Sequence, residues 1–108
     1  MPGQGNDGLS LADDGTAIAT GIVLENNQGC RVDASCYLQL KIKDKQARVI
    51  YHPGESEVKI NESAYRQGAT TKKGAHVKVY GRYRKSGNLI IIETYSSEAF
   101  FIHVFQNR

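Results

Sequence analysis

The sequence predicts a single small domain of the all-β class with little helix. Two segments, residues 36–52 and 72–95, each contain a pair of β-prone runs joined by a short turn. Apolar and polar residues alternate along most of these runs, as they do in strands with one buried side. Both segments are therefore predicted to be β-hairpins. A chain of 108 residues leaves little room for a second domain.

The amino-terminal part is predicted to consist of a tail followed by a bent strand. Residues 1–15 contain four glycines, three aspartates and few apolar residues, so we expect a disordered tail. Residues 16–108 are assigned to the barrel domain. Residues 16–24 are β-prone, and Gly21 in their middle indicates the bulge or bend by which one strand serves two sheets of a small barrel. The polar residues 25–34 are predicted to form a loop.

The first predicted hairpin has an apolar side and a polar side. Leu38, Leu40 and Ile42 fall on the apolar side, and Asp44 and Lys45 are assigned to the connection. A polar outer side is common in antiparallel sheets, so it is consistent with simple solvation as well as with binding. The polar side chains that would meet a ligand are Tyr37, Gln39, Lys41 and Arg48.

One short helix is predicted between the two hairpins. Pro53 and Gly54 end the preceding strand, and Asn61 has the side chain of a helix N-cap. The helix is expected to continue through Arg66 and to end at Gly68, where glycine suits a left-handed cap.

The second predicted hairpin is followed by an apolar segment. Val77 and Val79 point to one side of its first strand, and residues 85–88 contain the glycine that a turn needs. The continuous apolar run at residues 89–92 is typical of a strand covered on both sides. Residues 99–105 are predicted to form an extra strand, which either closes the sheet or pairs with another subunit, because an open apolar edge favours aggregation.

The net charge of +3 is unevenly distributed along the chain. Residues 1–36 carry five acidic residues and one basic residue, a net charge of −4. Residues 72–85 carry six basic residues and no acidic ones, a net charge of +6. A local basic run of this kind indicates either a polyanion partner or a solvated strand face.

Other classes of function have little support in the sequence. It contains no nucleophile motif, phosphate-binding loop or apolar run of membrane-spanning length, and we expect neither an enzyme nor a membrane protein. No cofactor is expected, and the three scattered histidines lack metal-ligand spacing. The amino terminus has no signal-peptide pattern, so a cytoplasmic location is expected. In that reducing environment, Cys30 and Cys36 are expected to remain unpaired.

The order of elements resembles the OB-fold, a five-stranded, partly open Greek-key barrel. The resemblance covers about residues 16–98 and includes a short helix between the third and fourth strands. The segment Gly74-Ala75-His76-Val77-Lys78-Val79-Tyr80-Gly81 is similar to the entry into the fourth strand of small OB domains. Thr20-Gly21-Ile22-Val23 is similar to the glycine-centred first strand of that family.

The resemblance implies binding through the outer face of the second and third strands, flanked by residues 26–31 and 85–88. Single-stranded nucleic acid is the first hypothesis, because tyrosines interleaved with basic residues supply base stacking and phosphate neutralisation. A protein-interaction or assembly module, using the barrel face or the C-terminal strand, is the second. The candidate nucleic-acid-binding residues are Tyr37, Gln39, Lys41, Arg48, Lys78, Tyr80, Arg82, Arg84 and Lys85.

Overall fold

The computed structural model describes residues 7–32, 34–54 and 60–105. Strands dominate these residues, and a short 3-10 helix, Gly29–Val32, follows the second strand. The strands and the α-helix are β1 (Gly8–Leu11), β2 (Thr16–Gln28), β3 (Cys36–Ile42), β4 (Lys45–His52), α1 (Glu62–Thr70), β5 (His76–Ser86), β6 (Leu89–Glu93) and β7 (Phe101–Val104).

Five of these strands close into a barrel. Around the barrel the order is β2, β3, β4, β6 and β5, and pairing between β5 and β2 completes the circle. The β4–β6 pair is parallel, whereas the other barrel pairs are antiparallel. β1 pairs with β2 and β7 pairs with β5, both outside the closed barrel. This confirms the predicted all-β barrel with a short helix between its third and fourth strands and an extra C-terminal strand.

β2 belongs to both halves of the barrel. Its residues 16–22 pair with β5, and its residues 22–28 pair with β3. The register shifts between Val23 and Glu25, two residues beyond the glycine at which the sequence predicts an irregularity. The position of Gly21 requires glycine for a reason other than a bulge. A Cβ there would collide with the carbonyl oxygen of Lys41 on β3.

The core follows the predicted alternation. Leu38 and Leu40 on β3 are fully buried, and so are Val77 and Val79 on β5. The intervening side chains of both strands point out of the barrel and are half-buried or exposed. The inward side chains of β3, β4 and β5, together with Ile92 of β6, form one continuous hydrophobic cluster.

Both hairpin turns are two residues long. The first consists of Lys43 and Asp44, one position earlier than expected, and Lys43 has a φ of 56°. The second consists of Gly87 and Asn88, because β5 continues through Ser86. Gly87 has a φ of 62°, so it supplies the left-handed conformation for which a glycine was expected in this turn.

Helix α1 packs against the barrel near Tyr51. The Asn61 side chain accepts a hydrogen bond from the Ala64 backbone N–H at 3.1 Å, which confirms the predicted N-cap. The predicted role of Gly68 is wrong, because the helix continues past it to Thr70. Gly68 instead lies against the Tyr51 ring, where a Cβ would come within 2.5 Å of Cγ. The glycine therefore permits close packing of the helix on the barrel.

The amino-terminal segment is more ordered than its composition indicates. Residues 8–11, inside the expected disordered tail, form β1 and pair with residues 17–20 of β2. Leu9 packs against the core cluster. Pairing along a free strand edge gives residues 8–11 backbone hydrogen bonds that the composition of residues 1–15 would not predict. Residues 1–6 of the expected tail lie outside the described residues.

Cys30 and Cys36 form a disulfide, so the expectation that they remain unpaired is wrong. The bond links the short 3-10 helix after β2 to the first residue of β3. Disulfides persist in oxidising compartments and are rare in the cytosol. A disulfide is therefore not what we would expect at the cytoplasmic location that the sequence predicts.

Candidate nucleic-acid interface

The outer side of β3 and β4 brings together the four residues predicted on the first hairpin. Gln39 lies opposite Arg48 in the strand register, and Lys41 lies opposite Gln46. Residues opposite each other share one side of a sheet, so these side chains point away from the core. This surface is called the front face, and it consists of Tyr37, Gln39, Lys41, Gln46 and Arg48.

A stacking contact and two hydrogen bonds organise the front face. The guanidinium carbon of Arg48 lies 4.1 Å from the centroid of the Tyr37 ring. Arg48 Nε donates to Gln39 Oε1 at 3.3 Å, and Gln39 Nε2 donates to Gln46 Oε1 at 3.1 Å. Because arginine can only donate, it fixes the orientation of both amides along this chain. Arg48 is thus held in place while its terminal nitrogens keep their donor capacity.

Gln46 was not among the residues predicted for the site. It occupies the outward position of β4 opposite Lys41, at the end of the first hairpin. The alternation of residues 46–52 already placed it on the same side as Arg48, so the signal was present in the sequence.

The front face continues across β6 toward the end of β5. Ile91 of β6 lies opposite Arg48 on one side and opposite Arg84 on the other. Ile91 is outside the core cluster and is only 7% exposed, so it provides an apolar base between the two arginines. Arg84, with a side chain 56% exposed, donates through Nε to the Glu93 carboxylate at 3.3 Å. Its charge is therefore partly neutralised.

Lys78 and Tyr80 lie on a different part of the barrel from the front face. They point outward from the half of β5 that pairs with β7, and β2 or β6 separates β5 from the front-face strands. The Tyr80 ring packs 5.3 Å from Phe100 and 5.7 Å from Phe101, measured between centroids. Tyr80 is thus part of an aromatic cluster, which limits its availability for stacking on a base.

Arg82 and Lys85 lie near the other end of β5. Arg82 is opposite Glu93 of β6 and opposite Thr16 of β2. The Thr16 hydroxyl and backbone N–H donate to the Asp14 carboxylate, and these bonds, together with the charge of Arg82, lower the pKa of Asp14. Asp14 is consequently ionised near Arg82. Lys85 is exposed at the end of the second hairpin.

The basic run of residues 72–85 therefore does not form one surface. Lys72 and Lys73 belong to the connection after α1, and Lys78 lies beside β7. Arg82 and Arg84 of this run extend the front face across β6, opposite Glu93 and Ile91. The +6 charge read along the sequence is divided among several surfaces, because Lys72 and Lys73 lie in a connection and β5 changes its partner from β7 to β6.

In the part of the chain that the structure describes, no three His, Cys, Asp or Glu residues are grouped so as to hold a metal ion. None of the described helices has the length and apolar character that a membrane crossing requires. Comparison with models of protein families and with curated proteins finds no match to this chain.

Proposed function

We propose that this protein is an OB-like barrel that binds single-stranded nucleic acid weakly, with little sequence preference, through its front face. The closed five-stranded barrel, with α1 between its third and fourth strands, agrees with the architecture of that fold. OB-folds bind oligonucleotides on the face of the second and third strands, which correspond to β3 and β4 here. In this proposal the protein is a binding module and not an enzyme.

The observation that supports the proposal best is the Tyr37–Arg48 stack beside the exposed Lys41. A base that stacks on an aromatic ring gains about 1–3 kcal/mol, whichever base it is. Arg48 covers one face of the Tyr37 ring, so an incoming base would stack on the other face or on the guanidinium plane. Lys41 and the terminal nitrogens of Arg48 would neutralise neighbouring phosphates.

The expected affinity is low because few cations on the front face are available. Lys41 and Arg48 have no ion-pair partner in the described residues, whereas Arg84 is paired with Glu93. Neutralising two or three phosphates of a single strand gives a slope of log K against log salt of about −1.4 to −2.1. Stacking and phosphate contacts carry little information about base identity, so weak sequence preference follows.

The test is a fluorescence-anisotropy titration of a labelled, mixed-sequence single strand at two salt concentrations. Tyr37→Ala and Lys41→Ala should each weaken binding, and binding should weaken as salt rises. Lys78→Ala is the matched control, since it removes the same charge from the β7 side of the barrel. Absence of binding at low salt, or equal losses from Lys41→Ala and Lys78→Ala, would rule out the front face as a specific interface.

A further inference from the structure

A groove lies between α1 and β7. One part, of about 600 Å³, is lined by Ser63 and Gln67 of α1 and by Phe101–Val104. The second part, of about 530 Å³, is lined by the end of α1, the following connection, Val104 and Phe105. The two parts share Gln67 and Val104, so they form one continuous depression, called the β7 groove. Each part lies in the range of about 300–1,000 Å³ that is typical of ligand sites.

The β7 groove borders a strand edge with unpaired backbone groups. In the described part of the chain, β7 pairs only with β5. The Phe105 backbone N–H donates to the His76 carbonyl at 2.9 Å, and antiparallel hydrogen bonds alternate along a strand. Phe101 and His103 therefore also bond to β5, whereas the N–H and C=O groups of Ile102 and Val104 point away from it, and both residues line the groove. Such an edge accepts a further strand.

The charged side chains that line the β7 groove in the described residues are basic. Among the described residues, its lining includes Lys72, Lys73 and Lys78, all exposed, and no aspartate or glutamate. His103 also lies on the outward side of β7, opposite Lys78 in the register. Potential of one sign along a concave surface favours a partner of the opposite sign.

We propose that the β7 groove binds an extended, acidic peptide segment of a protein partner, which adds a strand to β7. Alternating donors and acceptors at Ile102 and Val104 match a peptide backbone, whereas a nucleic-acid backbone offers acceptors without N–H donors. Every second side chain of the added strand would lie beside Phe101 and His103, within reach of Lys78. A second copy of this chain fits less well, because self-pairing of β7 would bring two lysine-lined grooves together.

The first test uses the full-length protein and a labelled ten-residue peptide of alternating glutamate and valine. A peptide of alternating lysine and valine, with the same length and β-propensity, is the control. Only the acidic peptide should bind, and its affinity should fall as salt rises. The double variant Lys72→Ala/Lys73→Ala should weaken its binding about three- to tenfold, whereas Lys41→Ala on the front face should leave it unchanged.

The second test identifies the edge by amide hydrogen exchange. The acidic peptide should slow exchange at Ile102 and Val104, whose N–H groups point away from β5. Phe101 and His103 serve as controls within the same strand, because β5 already protects their amides. This readout requires no substitution, so it does not depend on the folding of a variant.

Four outcomes would overturn the proposal. The acidic peptide would fail to bind, or the lysine peptide would bind equally well. Protection of Ile102 and Val104 that rises with protein concentration alone would identify a second copy as the occupant. Protection by a single-stranded oligonucleotide in place of the peptide would assign the groove to nucleic acid. Peptide binding and exchange at Ile102 and Val104 report on the β7 groove and are separate from oligonucleotide binding at the front face.

Discussion

Arg48 on β4 stacks on the ring of Tyr37 on β3, with its guanidinium carbon 4.1 Å from the ring centroid. The strand register places Tyr37 opposite Ile50, so Arg48 reaches Tyr37 diagonally, from the position opposite Gln39. The hydrogen bond from Arg48 Nε to Gln39 supports this geometry from the other side. Each residue thereby restricts the side-chain freedom of the other, which reduces the entropy cost of binding a ligand there.

The ring of Tyr37 should matter more for binding than its hydroxyl group. Tyr37→Leu removes the stacking surface, and a loss of about 1–3 kcal/mol corresponds to a roughly 5- to 150-fold weaker affinity for a single strand. Tyr37→Phe keeps the ring and should remain close to the unsubstituted protein. Anisotropy titrations with the same oligonucleotide compare the three proteins, and equal losses in both variants would show that stacking is not the source of affinity.

Removing the charge of Glu93 should strengthen binding. Glu93→Gln releases Arg84 from its ion pair and removes a negative charge beside the front face. We expect the affinity for a single strand to rise about two- to fivefold at low salt, with a steeper salt dependence. Glu98→Gln makes the same charge change in an exposed loop and is the control. An equal rise in both variants would indicate an effect of net charge and not of Arg84.

Gly68→Ala should destabilise the fold although alanine favours helices. The added Cβ would meet three atoms of the Tyr51 ring at 2.5–2.9 Å, and Tyr51 is fully buried. Overpacking of a core costs about 1–3 kcal/mol, which exceeds the gain of about 1 kcal/mol from helix propensity. Urea unfolding should therefore show a lower free energy of unfolding. Gly8→Ala, at a site with no atom within 4 Å of the added Cβ, should change little.

Loss of the disulfide should also lower stability. The bond closes a short loop between residues 30 and 36, and loop-closure entropy predicts that removing it costs about 2 kcal/mol. The double variant Cys30→Ser/Cys36→Ser and the reduced protein should unfold at similarly lower urea concentrations. Thiol titration of acid-quenched protein measures whether the bond forms in cells. Two reactive thiols in the native protein, with no change in stability on reduction, would contradict the disulfide.

The front face was largely predictable because it depends on local alternation. Tyr37, Gln39 and Lys41 occupy every second position of one strand, so any half-buried strand would place them on the same side. The side of the sheet on which Arg48 lies was predictable, but its partner was not, because the expected turn at Asp44 and Lys45 would have placed it opposite Lys41 and not Gln39. By contrast, Lys78 and Tyr80 show the same alternation, yet their surroundings depend on β7, which is more than twenty residues further along the chain.

Composition was a poor guide where pairing with distant segments supplied order. Residues 8–11 lie within a segment, residues 1–15, that is rich in glycine and aspartate, but β2 offers them a free edge. Glycine is typical of a helix end, but contact with Tyr51, seventeen positions earlier, gives Gly68 a different role. The prediction that Cys30 and Cys36 remain unpaired depended on the expected compartment. The path of the chain instead brings their Cα atoms within 4.8 Å of each other.

The sequence by itself determined most of the barrel strands, the N-cap at Asn61 and the sides of each hairpin, because these depend on interactions between residues close in the chain. Only the tertiary structure decided which outward side chains share a surface. Closure of the barrel places β2 or β6 between β5 and the front face, so a continuous basic run becomes several separate sites. The neighbours of an outward side chain depend on strand pairing across the barrel, and alternation along a strand carries no information about that pairing.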